Sequence, residues 1–282
     1  MVKEWVVATD HVWLDGLGEF LAGSVSGEWR EVVSPAIVGY VLHRRGEVDQ
    51  AMPIARSISR FLLDERAEIW IGQLLRRRYH DFAREAQTTI IDTAVHSLHS
   101  DPERNSDRLN LATAELFRFL VDHDEVVLEG VCSFLWPEIA QEFAEAVDQA
   151  VDDFLLEKEY HDFVGLLRRL VTKAKHSIAR AHVFFGEDRF YVEDEEGRRL
   201  GEDILNDMMS GIALESQTYD ELLVSLLVTL APNTVIIHRK MPDSEAMRTI
   251  QAVFGECMTC CRGCPRCLSG TWRIDNPERT GL

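Results

Sequence analysis

The sequence predicts a predominantly α-helical α+β protein with a helical core, a small sheet that contains a β-hairpin, and a small N-terminal α/β unit. Two observations support this prediction. Apolar residues recur at three- and four-residue steps through most of residues 46–170, which is the period of an amphipathic helix. Near Ala181 the period changes, and runs of β-branched and aromatic residues flank polar turns.

Residues 1–45 are expected to form the α/β unit, with its elements in the order β-α-β-β. Trp5 to Ala8 is typical of a strand, and Asp10 is expected to cap the helix that follows. Two β-prone runs, 29–33 and 36–42, supply the remaining strands.

Residues 46–256 are expected to form a mostly helical core. Asp107 is predicted to cap one of its helices. Pro137 suits the first turn of a long helix, whose apolar series is expected to be broken near Gly165.

The β part of this core is expected between residues 182 and 238. Residues 182–185 and 190–192 flank a polar turn and predict a β-hairpin, and residues 235–238 predict a strand of the same sheet. Three helices should accompany these strands: 202–209, a helix to residue 231 begun by a capping box at 218–221, and a last helix capped by Asp243.

Composition restricts the classes of function. The 282 residues carry a formal net charge of −18, which argues against nonspecific binding to a polyanion such as DNA. No apolar run is long enough to span a bilayer, and the N-terminus lacks the apolar core of a signal peptide. We therefore expect a cytoplasmic protein.

The third part, residues 257–282, is a cysteine-rich tail and the most unusual feature of the composition. Thiolates ligate soft metals, exchange disulfides and act as nucleophiles, so special chemistry is expected here. Cys132, between apolar neighbours, is instead expected to be a small buried hydrophobe. Five of the six cysteines belong to the tail: Cys257, Cys260, Cys261, Cys264 and Cys267.

Metal ligation is the first hypothesis for these five cysteines. They form three Cys-x-x-Cys spacings, and such a turn lets two sulfurs meet one tetrahedral zinc ion. Zinc could be held by four of the sulfurs, or His238 or His182 could supply a ligand. An iron–sulfur cluster is the weaker alternative, because Phe254 occupies the position of the leading cysteine in the ferredoxin spacing.

Redox chemistry is the second hypothesis. Stable disulfides are rare in a reducing cytosol, but a Cys-x-x-Cys pair can switch between its oxidised and reduced forms. The neighbouring Arg262 and Arg266 are expected to lower the thiol pKa values. A tail whose cysteines form no site is the remaining alternative.

Three segments together resemble a known family. They are the helix 154–163, the segment 219–238 with its helix and strand, and the cysteine run 261–267. In this order they resemble the YtxC-like family, which is linked by name to sporulation in endospore-forming bacteria. The resemblance covers roughly residues 50–267, and it implies no reaction, substrate or catalytic residue.

We therefore expect a sporulation-associated protein that is non-enzymatic and acts through an unidentified protein partner, with the tail as a metal-stabilised element. The rival is a redox-active or iron–sulfur regulatory protein that uses the same cysteines. A nucleic-acid regulator with a zinc module is disfavoured by the net charge of −18. The oligomeric state has no signal in the sequence.

Overall fold

The computed structural model describes residues 5–9, 16–24, 30–33, 38–41, 50–174, 178–185, 190–201, 219–238 and 243–269. Within the chain, residues 1–157 form one compact unit and residues 158–282 a second. The three-part division predicted from the sequence remains a prediction.

The first unit begins with the predicted β-α-β-β order. Its elements are β1 (Val6–Ala8), α1 (Leu17–Ser24), β2 (Arg30–Val33) and β3 (Val38–Val41). β2 and β3 pair antiparallel, whereas β1 pairs parallel with β4 (Glu125–Val127). The expected cap Asp10 lies outside the described residues.

Helices make up most of the first unit. They are α2 (Ala51–Arg60), which continues into a π-helical turn (Phe61–Glu65), α3 (Ala67–Arg78), α4 (Arg84–His99) and α5 (Pro102–Asp122). After β4, a short helical turn (Leu128–Gly130) and a second π-helical turn (Val131–Leu135) lead to α6 (Pro137–Lys173), which begins at Pro137 as expected. Residues of α6 from 158 onward belong to the second unit.

Large aromatic side chains form the centre of this first core. Trp70 stacks on Phe143 with 4.3 Å between ring centroids. The fully buried indoles of Trp5 and Trp136 donate to backbone carbonyl oxygens, so burial leaves neither N–H unpaired. Cys132 is buried here as expected, and burial raises the pKa of its thiol.

Three predicted helix details are wrong. Asp101, not Asp107, caps α5, because its carboxylate accepts from the first free backbone N–H groups. α6 runs through Gly165 without a break, since the buried neighbours Val164 and Leu167 hold the helix against a glycine penalty of about 1 kcal/mol. The last predicted helix is capped by Ser244, whose hydroxyl accepts from the Met247 N–H, rather than by Asp243, which lies one residue before the cap position.

The second unit contains a five-stranded sheet. Its strands are β5 (Arg180–Phe185), β6 (Phe190–Glu193), β7 (Arg199–Leu200), β8 (Thr234–His238) and β9 (Met258–Cys260), in the order β7-β6-β5-β8-β9. β6 is antiparallel to both of its neighbours, β5 and β7, and β8 is parallel to both β5 and β9.

In the described part of the second unit, three helices follow the first strands of this sheet: α7 (Tyr219–Leu230), α8 (Glu245–Phe254) and α9 (Pro265–Ser269). One face of the sheet packs in a core with side chains of α7 and α8. Successive strand residues point to opposite faces, and the buried set on the core face includes Val183, Val235 and Ile237. The strand residues that alternate with them, His182, Ile236 and His238, therefore lie on the other face.

The predominantly α-helical α+β class is confirmed, as are the hairpin and the inclusion of residues 235–238 in its sheet. The helix expected over 202–209 and the first residue of the capping box at 218 lie outside the described residues. Among the helices that the structure describes, none combines the length and the apolar character needed to cross a membrane.

Candidate metal centre

His238 is the last residue of β8 and a buried member of the second unit, with 5% of its surface exposed. Because β8 is an inner strand paired on both sides, the position of this imidazole is determined by the sheet. The Phe184 ring on β5 stacks on it with 4.1 Å between centroids and 6° between planes.

The pairing of β9 with β8 brings Cys261 to His238. Ile237 pairs with Cys260, and the backbone N–H of Cys261 donates to the Ile237 carbonyl oxygen at 2.8 Å. The next residue along each strand therefore lies side by side, which places Cys261 next to His238. Cys260 points to the opposite face, because side chains alternate along a strand.

A tight turn then returns the chain to the same place. Gly263 has φ of 113°, in the region that favours glycine, so it lets the chain reverse between Cys261 and Cys264. Pro265 starts the short helix α9, as is common at a first helical position. The helical turn brings Cys267 back beside Cys264.

Four potential ligand atoms converge as a result. The Nδ1 atom of His238 and the sulfurs of Cys261, Cys264 and Cys267 all lie within 4.8 Å of one another. His238 Nδ1 lies 3.4 Å from the Cys267 sulfur and 3.6 Å from the Cys264 sulfur. The Cys267 sulfur lies 3.6 Å from that of Cys264 and 3.9 Å from that of Cys261.

The local electrostatics favour the protonation states that a metal requires. The backbone N–H of Cys267 holds the pKa of the Cys264 thiol below its usual value, and hydrogen bonds from other cysteine side chains act in the same direction. Burial lowers the pKa of His238, with smaller effects from His182 and Arg266. A thiolate and a neutral imidazole are the metal-binding forms of these residues.

The pKa of the Cys264 thiol is lowered, but mainly by a cause other than the arginines that the sequence suggested. Among the influences on Cys264, backbone hydrogen bonds are foremost. Arg266 instead donates to the carboxylate of Glu193 on β6, and its guanidinium lies 5.8 Å from the centre of the Phe184 ring. Arg266 therefore attaches the cysteine-bearing turn to the face of the sheet.

His182 lies on the far side of the His238 ring from the thiols. Its Nδ1 is 2.9 Å from His238 Nε2, and the two rings stack with centroids 5.2 Å apart. Burial lowers the pKa of His182, and the nearby Arg180 adds to the effect. The structure thus places His182 against a candidate ligand and outside the four-atom group.

The structure divides the cysteines of the tail. His238, Cys261, Cys264 and Cys267 come together, whereas Cys257 and Cys260 are exposed and belong to no such group among the described residues. Sequence reasoning did not find Glu193 or Phe184. Neither has a motif spacing that could have indicated it, because both reach the site through strand pairing.

The comparisons with known proteins give the family. The model of the YtxC-like family matches residues 53–259, which is well over half of the chain. The chain belongs to the YtxC-like family. The match includes His238 but ends before Cys260, so the three clustered cysteines lie beyond it.

A curated relative supports this assignment. "Uncharacterized protein YtxC" of Bacillus subtilis (strain 168) is 24% identical over 230 residues, an alignment that covers 74% of this chain and 78% of the relative. No solved structure matches the chain. The case for the metal centre therefore depends on the geometry of this family member.

Proposed function

We propose that this YtxC-like protein binds one zinc ion through His238 Nδ1 and the thiolates of Cys261, Cys264 and Cys267. The spacing of these four atoms is the observation that supports it. Tetrahedral zinc, with Zn–S near 2.3 Å and Zn–N near 2.0 Å, needs its ligand sulfurs about 3.8 Å apart and its nitrogen about 3.5 Å from each sulfur. Of the six pairwise distances, those of 3.6 and 3.9 Å between sulfurs and of 3.4 and 3.6 Å to the nitrogen agree with this geometry, and all six are within 4.8 Å.

The ligand types favour zinc among the common metals. Three thiolates exclude the hard cations that prefer oxygen, whereas Cys₃His is a usual set for structural zinc. An iron–sulfur cluster is disfavoured, because a cluster places its own iron and sulfide atoms between the ligands and needs a wider set than four atoms within 4.8 Å.

The role that we propose for zinc is structural. Four protein ligands leave no open position for a substrate, which is the arrangement of structural rather than catalytic zinc. The ion would join the turn after β9 to the end of β8. A role in sporulation, to which the family is linked by name, belongs to the same proposal, as do a non-enzymatic action through a protein partner and a cytoplasmic location.

Metal analysis of the full chain tests the zinc site. Protein purified without oxygen and without added metal is expected to contain about one zinc per chain by elemental analysis. Cys261→Ser and Cys264→Ser should each lose the metal. The matched controls Cys257→Ser and Cys260→Ser remove exposed cysteines of the same segment and should keep it. A wild-type protein that neither contains nor takes up zinc would refute the proposal.

A redox pair is the second candidate function. The lowered pKa of Cys264 and the 3.6 Å between its sulfur and that of Cys267 favour it. It predicts zinc-free protein in which mild oxidation joins these two cysteines reversibly, detected as a loss of two free thiols. A stable zinc content that protects both thiols would reject this candidate.

A further inference from the structure

The two nitrogens of the His238 ring have different surroundings. Nδ1 faces the sulfurs of Cys264 and Cys267, at 3.6 and 3.4 Å, whereas Nε2 faces His182 Nδ1, at 2.9 Å. A metal-bound nitrogen has no proton, so a neutral ring that binds through Nδ1 has its proton on Nε2. With a metal on Nδ1, Nε2 would therefore be the donor in the hydrogen bond between the histidines, and His182 Nδ1 would be the acceptor.

We propose that His182 is a positioning residue for the metal centre, which accepts the Nε2–H of His238 and so presents Nδ1 to the ion. The inference rests on the proposed zinc site and adds a residue that is not itself a ligand. A metal-binding histidine commonly donates its second nitrogen to a carboxylate or carbonyl oxygen, which determines its tautomer and the direction of the ring. Here a second histidine performs that role.

The sheet holds both histidines in place. His182 and Phe184 lie on β5, next to β8, and Phe184 is the register partner of His238. Phe184 covers the face of the His238 ring, so the ring cannot turn freely. His182 then determines which of its nitrogens faces the thiols.

The same strand connects His182 to the other attachment of the cysteine-bearing turn. His182 pairs with Glu193 across β5 and β6, and Glu193 accepts from Arg266, which lies between Cys264 and Cys267 in sequence. Neighbouring residues on one sheet face thus hold the imidazole ligand and the thiolate turn. This arrangement explains why a half-buried histidine is placed here rather than an apolar residue.

Three variants of the full chain test this role. His182→Leu removes the acceptor, whereas His182→Asn keeps an acceptor oxygen at the same distance from the backbone as Nδ1. The matched control is His161→Leu, which removes an exposed histidine of α6. Zinc affinity is measured by competition with a chelator, and thermal unfolding of each metal-free variant verifies the fold.

We expect His182→Leu to lower zinc affinity about 10- to 100-fold, the usual effect of losing such a partner. His182→Asn should restore affinity to within a few-fold of wild type, and the control should match wild type. An affinity in His182→Leu equal to that of wild type would overturn the inference while leaving the zinc proposal intact.

Nitrogen-15 NMR of the imidazoles gives a readout that needs no metal. In metal-free wild type, His238 should be in the Nε2–H tautomer, because the acceptor is already in place, and His182→Leu should give a mixture of tautomers. A wild-type protein that binds no zinc would refute the proposed function. A His238 tautomer that is unchanged by His182→Leu would refute the positioning role by itself.

Discussion

Arg266 and Glu193 are joined by an ion pair that connects the cysteine-bearing turn to strand β6. Arg266 lies between two of the clustered cysteines in sequence, and its guanidinium donates to a carboxylate that is 11% exposed. Partial burial makes such a charge-assisted pair stronger than one at the surface. The cysteine-bearing turn of the candidate metal centre is thus attached to the sheet by a contact that does not require a metal ion.

Replacing Glu193 should loosen the turn. Glu193→Gln keeps the shape of the side chain but removes the charge that holds Arg266. We expect faster amide hydrogen exchange at residues 264, 266 and 267 and zinc binding weaker by several-fold, measured by mass spectrometry and chelator competition. The control Glu196→Gln changes an exposed carboxylate of the neighbouring turn. Equal exchange in wild type and Glu193→Gln would contradict the prediction.

Thiol reactivity should separate the six cysteines into three classes. In the zinc-loaded protein, an aromatic disulfide reagent should modify the exposed Cys257 and Cys260 at once. The three clustered thiols should react only after a chelator removes zinc, and the buried Cys132 only after unfolding. Immediate reaction of more than two thiols in the zinc-loaded protein would show that the cluster is not ligating.

Stability should depend on pH through Glu142. Hydrogen bonds from the buried Arg108, at 2.8 and 2.9 Å, hold the pKa of Glu142 below its ordinary value. Because its pKa is lower in the folded than in the unfolded state, Glu142 stabilises the fold at pH values above its ordinary pKa. This contribution is lost as the pH falls through the pKa of the folded state. The free energy of unfolding of wild type should therefore decrease more steeply between about pH 5 and pH 3 than that of Glu142→Gln.

Urea unfolding at each pH measures this difference, and Glu145→Gln, an exposed carboxylate of the same helix, is the matched control. A constant difference between wild type and Glu142→Gln across the range would refute the role of the pair.

The cap of α5 can be tested by comparing two aspartates. Asp101→Ala removes the carboxylate that accepts from the N–H groups of Glu103 and Arg104, and should cost about 1 kcal/mol of unfolding free energy. Asp107→Ala, an exposed position inside the same helix, should change stability by less than half as much. The reverse order would assign the cap to Asp107.

Replacing each of two glycines of the second unit by alanine should change the free energy of unfolding in opposite directions. Gly201 has φ of 79°, and a Cβ there would lie 2.5 Å from the Cδ1 atom of the fully buried Leu226. Gly201→Ala should therefore cost about 1–3 kcal/mol. Gly165 lies inside α6, and no atom of the described residues is within 4 Å of its Cβ position, so Gly165→Ala should add up to about 1 kcal/mol. Thermal unfolding compares the two, and a stable Gly201→Ala would contradict the steric argument.

Much of the secondary structure was predictable because its causes are local. The order of the first elements, the hairpin and the helices beside β8 follow from apolar periodicity and turn residues, which act over a few neighbours. Where prediction failed, the competing signals were also local. Asp101 and Asp107 are both acceptable caps by residue type, and only the backbone decides which carboxylate faces free N–H groups.

The sequence by itself determined the fold class and the chemistry to expect near the carboxyl end, because residue type and spacing carry that information. Only the tertiary structure decided which potential metal ligands come together. Parallel pairing brings the end of β9 beside the end of β8, and the alternation of side chains then selects Cys261 over Cys260. Pairing also places His182 behind His238. These are contacts between strands distant in sequence, and no spacing along the chain encodes them.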